Sequence, residues 1–281
     1  MNEHSDELSE WVTDATAKGA SRVEIQDRLV ALGWHATSTT RMLDQVLDGG
    51  APKAVTPSTL PEPDLRNLPT TLDVGDARVR VLMSMRKPRI VLFGDFLSGK
   101  ECDELIAYAN PLLQRSEIID TTDVNGEALT SYSRTSQSAF IRPSESTLVE
   151  RIEKRVARVL RWPVENSEHM QIVRYGPGAD FVPHHDYFDI GLNATPKLLE
   201  QGGQRVASML LYLNTPEKGG STLFSDVQLE VMPKRGNALF FNYSIPHPST
   251  LTLHGGAPVV SGEKWLATVF MRERFMHKRP E

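Results

Sequence analysis

The chain has 281 residues, of which 40% are hydrophobic and 24% charged, and its formal net charge is -5 at pH 7. This length allows one large domain, or a large domain with a small one, and it is sufficient to bury a core. The mild acidity argues against nucleic acid or an anionic membrane as a partner, and no apolar stretch approaches the roughly 18 residues of a membrane span.

Cysteine usage limits the metal chemistry that this chain can support. Cys102 is the only cysteine, which excludes an intrachain disulfide and a thiolate-rich zinc site. A metal bound by this chain must therefore be held by histidine and carboxylate side chains. The N-terminus is acidic and polar and lacks the pattern of a secretion signal, so we expect a cytoplasmic location.

The first 50 residues predict a small domain of three short amphipathic helices. Apolar residues recur there at helical spacing, and glycines follow each of the runs. Ser21 and Glu24 form a capping-box pattern before the second helix. Such a small unit is marginal by itself. Residues 1–50 are therefore either an interaction module that recruits a protein or an appendage that stabilises the rest of the chain.

The remaining chain divides into a linker and one large domain. Residues 51–70 are rich in proline and predict an extended linker, because proline fixes φ and lacks an amide hydrogen. From residue 71 the pattern indicates strands, then helices from about Ser98 and from about Ser144 to Leu160, then many short strands. Residues 71–281 are thus predicted to form an α+β domain, a β-sandwich or jelly roll buttressed by helices.

Two histidines and an aspartate of this domain have the pattern of a metal site. His184 and Asp186 lie two positions apart in a predicted strand, where alternate side chains point to the same face. With the distant His254 they match the set that holds Fe(II) in non-haem oxygenases and leaves coordination positions open. Lys264 is suited to the far end of an anionic co-substrate, and Tyr175 is a candidate second donor to that molecule.

Several motifs extend this pattern over about residues 88–275. They are Arg134-Thr-Ser136, the run from Pro163 to Tyr175, His184-His-Asp-Tyr-Phe, Leu211-Tyr-Leu-Asn, Gly219-Gly-Ser-Thr-Leu-Phe224, and His254-Gly-Gly ahead of Gly262-Glu-Lys-Trp265. In this order and spacing they resemble the prolyl 4-hydroxylase family of Fe(II)/2-oxoglutarate-dependent dioxygenases. The resemblance implies a double-stranded β-helix (a cupin-like jelly roll), with His184, Asp186 and His254 binding Fe(II) and Lys264 paired with the C5 carboxylate of 2-oxoglutarate near Tyr175.

The resemblance also implies an activity. The enzyme would hydroxylate prolyl residues in a protein or peptide while O2 is consumed and succinate and CO2 are released, with ascorbate as a candidate reductant. We assign no catalytic residue beyond the metal centre, because the metal and co-substrate carry the oxidation. The expected partner is a protein or peptide substrate, which residues 1–50 are candidates to recruit, and neither nucleic acid nor a membrane is expected.

The substrate side matches the family less well than the metal side. Arg205 matches the family arginine that lines the substrate groove, but Phe181 stands where relatives that bind peptidyl proline usually have tyrosine. Phe270 and Arg272 stand where relatives often have tryptophan and histidine. Since a missing hydrogen-bond donor changes which substrates are accepted, an alternative keeps the same chemistry on a free amino acid or another small metabolite.

Two further expectations concern the surroundings of the site. Glu168 lies close to the site in sequence and is expected to be a solvated carboxylate. Residues 188–204 have little regular pattern. Since long unpatterned segments beside a site are often lids, this segment is either a mobile loop that closes over peptide or a solvated connection.

Overall fold

The structure is a computed structural model that describes residues 11–31, 39, 43, 47, 60–119, 128–130, 135–189, 192 and 194–276. The helices are α1 (residues 11–17), α2 (Arg22–Ala31), α3 (Gly99–Ala109), α4 (Thr147–Leu160) and α5 (Thr195–Glu200). Short 3-10 helices span Asn110–Leu112, Val164–Asn166, Ser225–Val227 and Pro248–Thr250. The strands are β1 (Thr71–Asp73), β2 (Arg78–Met85), β3 (Arg89–Gly94), β4 (Gln114–Arg115), β5 (Glu117–Ile119), β6 (Ala128–Thr130), β7 (Gln137–Ile141), β8 (Met170–Tyr175), β9 (Phe181–His184), β10 (Arg205–Tyr212), β11 (Lys218–Gly219), β12 (Thr222–Phe224), β13 (Leu229–Val231), β14 (Ala238–Asn242), β15 (His254–Gly256), β16 (Val259–Ser261) and β17 (Lys264–Arg272).

Two antiparallel sheets form the body of the protein. The large sheet has nine strands in the order β1-β2-β3-β14-β10-β17-β8-β7-β4, and the small sheet has four in the order β13-β12-β15-β9. Strands that are distant in sequence are neighbours in both sheets, as expected for a jelly roll. The predicted α+β double-stranded β-helix is confirmed.

The large sheet packs on two layers, and alternation along its strands determines which residues face each layer. An outer core joins one face to α3 and α4, and an inner core joins the other face to the small sheet. In β17, alternate residues enter the outer core, and those between them face inward. The outward set is Trp265, Ala267, Val269 and Met271, and the inward set includes Leu266, Thr268 and Phe270.

Helices α3 and α4 begin at polar residues that the sequence allowed us to identify approximately. Ser98 accepts a hydrogen bond from the Glu101 amide, and the Glu101 carboxylate accepts one from the Ser98 amide, which forms a complete capping box. Ser146 caps α4 through the Val149 amide. These caps fix where the two helices start, so that their apolar faces cover the outer core.

The N-terminal helices form a separate cluster that contacts the body. Ile25 and Leu29 of α2 are buried with Val12 of α1 and with Leu43, and Ile245 of the body packs against this cluster. The predicted capping box is present, because Glu24 accepts hydrogen bonds from the amide and hydroxyl of Ser21. Most of the predicted third helix lies outside the described residues.

Part of the predicted linker belongs to the body. Leu60 and Leu65 pack against the outer core, and the Glu62 amide donates to the carbonyl oxygen of Leu160. Residues 60–65 are therefore extended and packed, residues 66–70 include a turn and are mostly exposed, and residues 51–59 lie outside the described part. Among the described residues, no helix combines the length and apolar character needed to cross a membrane.

Candidate metal and co-substrate site

The register of the small sheet brings the two predicted histidine ligands together. His184 of β9 is the direct cross-strand partner of His254 of β15, and their ring centroids lie 4.5 Å apart. A Cβ at Gly255 would lie 2.9 Å from the Phe181 carbonyl oxygen, so glycine permits the close approach of the two strands here. Asp186 follows β9 and lies with its carboxylate 3.4 Å from the Nε2 atom of each histidine.

Hydrogen bonds orient all three side chains. The Nδ1 atoms of His184 and His254 lie 2.9 and 3.0 Å from the carbonyl oxygens of Val182 and Thr252, which assigns the ring protons to Nδ1 and leaves the Nε2 lone pairs facing Asp186. The Ser208 hydroxyl donates to Asp186 Oδ2 at 2.6 Å. Such partners hold a ligand set in position before metal binds.

The electrostatics keep Asp186 and His254 in the protonation states that metal binding needs. Burial opposes ionisation of Asp186, but the adjacent His254 and His184 hold the pKa of its carboxyl well below the ordinary value. Burial lowers the pKa of His254 to about 4, despite the nearby Asp186. Near neutral pH the site thus offers an ionised carboxylate and a neutral His254 imidazole.

This donor set fits Fe(II). One ligand atom from each of His184, Asp186 and His254 lies within 4.8 Å of the others. Two neutral nitrogens and one hard oxygen form the facial set that suits non-haem iron and leaves positions open for other ligands. The predicted metal residues are therefore brought together as one group.

Lys264 lies beside the metal group and has the properties of an anion-binding residue. Its side chain is buried, and among the described residues no carboxylate pairs with it. The ammonium group lies 5.5 Å from the ring centroid of Tyr175, its cross-strand neighbour, and 6.0 Å from that of Tyr212. Burial lowers the pKa of Lys264 to about 8. An anionic ligand beside this buried ammonium group would offset its desolvation and stabilise the charged form.

A cavity of about 650 Å³ opens over the metal group and contains most of the predicted substrate residues. Phe181 lines it and stacks on His184 at 3.9 Å between ring centroids. Phe270 and Arg205 also line it, and the Arg205 guanidinium lies 3.8 Å from the Phe270 ring centroid. A bulge in β10 permits this position: Val206 and Ala207 both enter the outer core, which returns Arg205 to the inner side.

One expectation about the substrate side is wrong. Glu168 is not a solvated carboxylate: it accepts hydrogen bonds from Arg205 Nε and Nη2 at 2.7 and 2.8 Å and from Arg272 Nη1 at 2.8 Å. Although burial opposes its ionisation, Arg205 and Arg272 hold the pKa of Glu168 below its usual value.

Arg272 does not line the cavity, so its predicted contact with substrate is not supported. Its guanidinium is buried behind Glu168 and donates to the carbonyl oxygens of Leu198, Gln201 and Gly203. The position follows from the end of β17, where the chain leaves the sheet beside the segment after α5. Arg272 therefore holds residues 188–204, the segment for which the sequence left a mobile loop and a solvated connection as alternatives.

The ends of that segment are tied together. The Gln204 side-chain amide accepts a hydrogen bond from the Phe188 amide at 2.7 Å and donates to the Phe188 carbonyl oxygen at 2.9 Å. Thr195–Glu200 form the helix α5 within it. The segment is thus neither wholly irregular nor a simple solvated connection, because its base is fixed and its interior lines the cavity.

The sequence patterns did not single out Ser208, Gln171 or Thr268. Gln171 and Thr268 are neighbours across β8 and β17 and both line the cavity. Thr268 could have been predicted as a cavity residue, because alternation along a strand places it on the same face as Lys264 and Leu266. Ser208 could not be found in this way, because its role depends on Asp186, which lies in another part of the fold.

The family comparisons agree with this geometry. A family model described as the 2OG-Fe(II) oxygenase superfamily matches residues 170–272. Prolyl 4-hydroxylase 2 of Arabidopsis thaliana is 39% identical over 69% of this chain and 70% of its own length. Prolyl 4-hydroxylase 1 of the same plant is 39% identical over 72% of this chain and 75% of its own length.

A solved structure supports the same assignment. The 2OG complex of the viral collagen prolyl hydroxylase from Paramecium Bursaria Chlorella virus-1 is 29% identical, with a TM-score of 0.50 over 65% of this chain and 95% of that chain. The sequence identity, the fold and the His-Asp-His group lead to one conclusion. The chain belongs to the prolyl 4-hydroxylase family of Fe(II)- and 2-oxoglutarate-dependent dioxygenases.

Proposed function

We propose that this enzyme hydroxylates a prolyl residue of a protein or peptide, with Fe(II) held by His184, Asp186 and His254. The observation that carries the proposal is the presence of this ligand group at a cavity whose lining includes Tyr175, the residue beside the buried Lys264. Fe(II) and 2-oxoglutarate, when bound, supply the oxidation of an unactivated C–H bond by O2, with release of succinate and CO2.

The side chains of this chain bind, orient and exclude water. Lys264 pairs with the far carboxylate of 2-oxoglutarate, and the Tyr175 ring covers one side of the ammonium group. The Ser208 hydroxyl fixes one oxygen of Asp186. Phe181 lies against the His184 ring and keeps solvent from that side of the metal group. No acid or base is needed among these residues, which agrees with the absence of a catalytic assignment beyond the metal centre.

The charges around the cavity favour a peptidyl substrate over a free amino acid. Arg205 is the arginine that lines the cavity, and its guanidinium donates hydrogen bonds to both carboxylate oxygens of Glu168. Recognition of a free α-carboxylate requires a cation that is available to it, and Arg205 is already neutralised. Phe181, Phe188 and Phe270 give the lining an apolar aromatic character that suits a pyrrolidine ring within a peptide.

The proposal is tested by combining the protein with Fe(II), 2-oxoglutarate and a panel of proline-containing peptides and free amino acids. We expect succinate release coupled to the gain of one oxygen atom on a peptidyl proline, detected by mass spectrometry. His184→Ala and His254→Ala remove metal ligands and should abolish both signals. Oxygen gain on a free amino acid alone, or turnover that survives both substitutions, would refute the assignment.

The proposal has three further parts, which concern the reductant, the cellular environment and the recruitment of substrate. We propose ascorbate as a reductant, because the site requires ferrous iron; repeated turnover should then decline when ascorbate is omitted. A reducing, cytoplasmic environment agrees with the buried, unpaired Cys102. Recruitment of a substrate protein by residues 1–50 is supported by the exposure of Trp11 and Val23 on the helical unit, and its measure is activity on a protein substrate relative to a short peptide.

A further inference from the structure

Exposed apolar side chains collect at the mouth of the cavity. Among the described residues, three of the exposed large hydrophobic side chains line this cavity: Phe140 at 65% exposure, Val182 at 45% and Leu192 at 36%. They come from β7, β9 and the segment before α5. Leaving such side chains in water is unfavourable, and their meeting at one opening indicates a surface that is covered during function.

The register of the large sheet explains the position of Phe140. Phe140 is the cross-strand partner of Gln171, and Gln171 is in turn the partner of Thr268. All three line the cavity, so a single transverse row leads from the interior to Phe140. On the other side of β7, the described residues of β4 pair with Gln137 and Ser138, so that β4 does not extend to Phe140, which is exposed to solvent.

The charges of the lining restrict what this surface can bind. Its carboxylates are Glu168, Asp186 and Asp189, and its guanidinium is Arg205. Arg205 is engaged by Glu168, and Asp186 belongs to the metal group. The lining therefore has no available arginine for an acidic segment, and the exposed apolar side chains at the opening favour an uncharged apolar one.

We propose that Phe140, Val182 and Leu192 form an apolar rim that binds bulky hydrophobic side chains flanking the hydroxylated residue of an exposed peptide segment. This inference rests on the proposed peptidyl function and specifies its substrate class. The rim is continuous with the cavity that receives the reacting residue, so its occupant is the same peptide. Its natural target is a loop or chain end that displays apolar residues, rather than a repetitive segment of small polar residues.

The test compares two proline peptides of equal length, one with leucine on both sides of the proline and one with serine there. We expect kcat/KM about tenfold higher for the leucine peptide, as expected from burying one large apolar side chain. Phe140→Ser should remove most of this preference, because it lowers kcat/KM for the leucine peptide much more than for the serine peptide. The matched control is Met232→Ser, which changes a side chain that is 62% exposed and lies outside the cavity lining.

The outcomes separate this inference from the function on which it rests. Equal kcat/KM for the two peptides, or an equal effect of Phe140→Ser on both values, would contradict the proposed role of the rim and leave prolyl hydroxylation in place. Succinate release without oxygen gain on any peptide would overturn the peptidyl function and the rim with it. Leu192→Ser provides a second variant from a different element, so a folding defect at Phe140 would not decide the result.

Discussion

At the scale of single residues, the metal group depends on a hydroxyl that does not touch the metal. Ser208 holds Asp186 Oδ2, and its own oxygen lies 3.0 Å from the Tyr243 hydroxyl. Partners of this kind set the orientation of a ligand, and their loss typically costs about 10–100-fold in metal affinity. The carboxylate geometry is therefore set by β10 as well as by the chain around Asp186.

We predict that Ser208→Ala weakens metal binding about tenfold or more. The Asp186 carboxylate would lose its orienting donor, although the ligand itself remains. Titration of the protein with Fe(II) or with Co(II) as a spectroscopic probe measures the dissociation constant directly. Tyr243→Phe leaves the hydrogen bond between Ser208 and Asp186 intact and should have a smaller effect. Equal metal affinities for the unsubstituted protein and the two variants would contradict the prediction.

A second residue-scale prediction concerns Lys264 and pH. Its pKa is about 8, so the ammonium form prevails below that pH and is lost as the pH rises above it. We expect the KM for 2-oxoglutarate to be constant at lower pH and to rise about tenfold for each pH unit above 8, because a neutral amine does not pair with a carboxylate. Succinate release across this pH range measures KM.

The control for this prediction is Lys264→Arg. A guanidinium stays protonated across the same range, so the rise in KM should be absent even if the larger side chain weakens binding at every pH. Tyr175 and Tyr212 are the aromatic groups nearest the ammonium. A KM for the unsubstituted enzyme that does not change with pH would show that Lys264 does not meet the co-substrate as proposed.

At the scale of elements, α5 and its flanks are held by buried polar contacts rather than by a large apolar face. Arg272 joins three backbone carbonyls of this segment to Glu168, and Gln204 ties it to Phe188. The same arginine thus connects the segment over the cavity with the Glu168–Arg205 pair inside it.

We predict that Arg272→Met lowers the free energy of unfolding by about 3 kcal/mol, because it leaves a buried carboxylate short of a partner and several carbonyls unpaired. Urea denaturation gives the energy, and limited proteolysis within residues 189–203 reports local loosening. Arg274→Met is the matched control, since Arg274 donates to Leu199 from an exposed position and should cost less than about 1 kcal/mol. Equal effects of the two substitutions would contradict a special role for Arg272.

At the scale of the whole molecule, the N-terminal helices and the oxygenase body have separate cores. The helical cluster contains Ile25, Leu29 and Leu43, and Ile245 is the body residue that packs against it. Because the apolar residues of the body lie in other clusters, loss of the helical unit should leave the body folded. This arrangement is compatible with a recruiting module and with an appendage.

We predict that Leu29→Asp unfolds the helical unit while the body keeps its fold and its turnover with short peptides. A carboxylate in a buried apolar site is strongly unfavourable. Hydrogen exchange of residues 11–31 should lose protection, whereas amides of β10 and β17 should keep theirs. Val30→Asp adds the same charge at a neighbouring, exposed position of α2 and should preserve protection; loss of protection in β10 as well would show that the two units fold together.

The ligand types, the approximate starts of α3 and α4 and the succession of short strands could be inferred from the sequence alone, whereas the short helix α5 could not. A single cysteine restricted the metal site to histidine and carboxylate. The spacing of His184 and Asp186 predicted that the two side chains converge, although Asp186 lies just after β9 and not within a strand. These inferences succeeded because they depend on neighbours within a few residues. The same holds for the capping box of α2, which is visible as a local pattern.

The surroundings of the substrate follow from contacts that form only in the folded protein. The hydrogen-bond partners of Glu168 and Arg272 depend on a bulge in β10 and on where β17 ends beside α5. The apolar rim depends on three elements that meet only after the sheets have formed. Register, bulges and buried ion pairs join residues that are far apart in the chain, and local pattern carries no information about those partners. The metal chemistry could thus be predicted from the sequence, whereas the character of the substrate cavity required the fold.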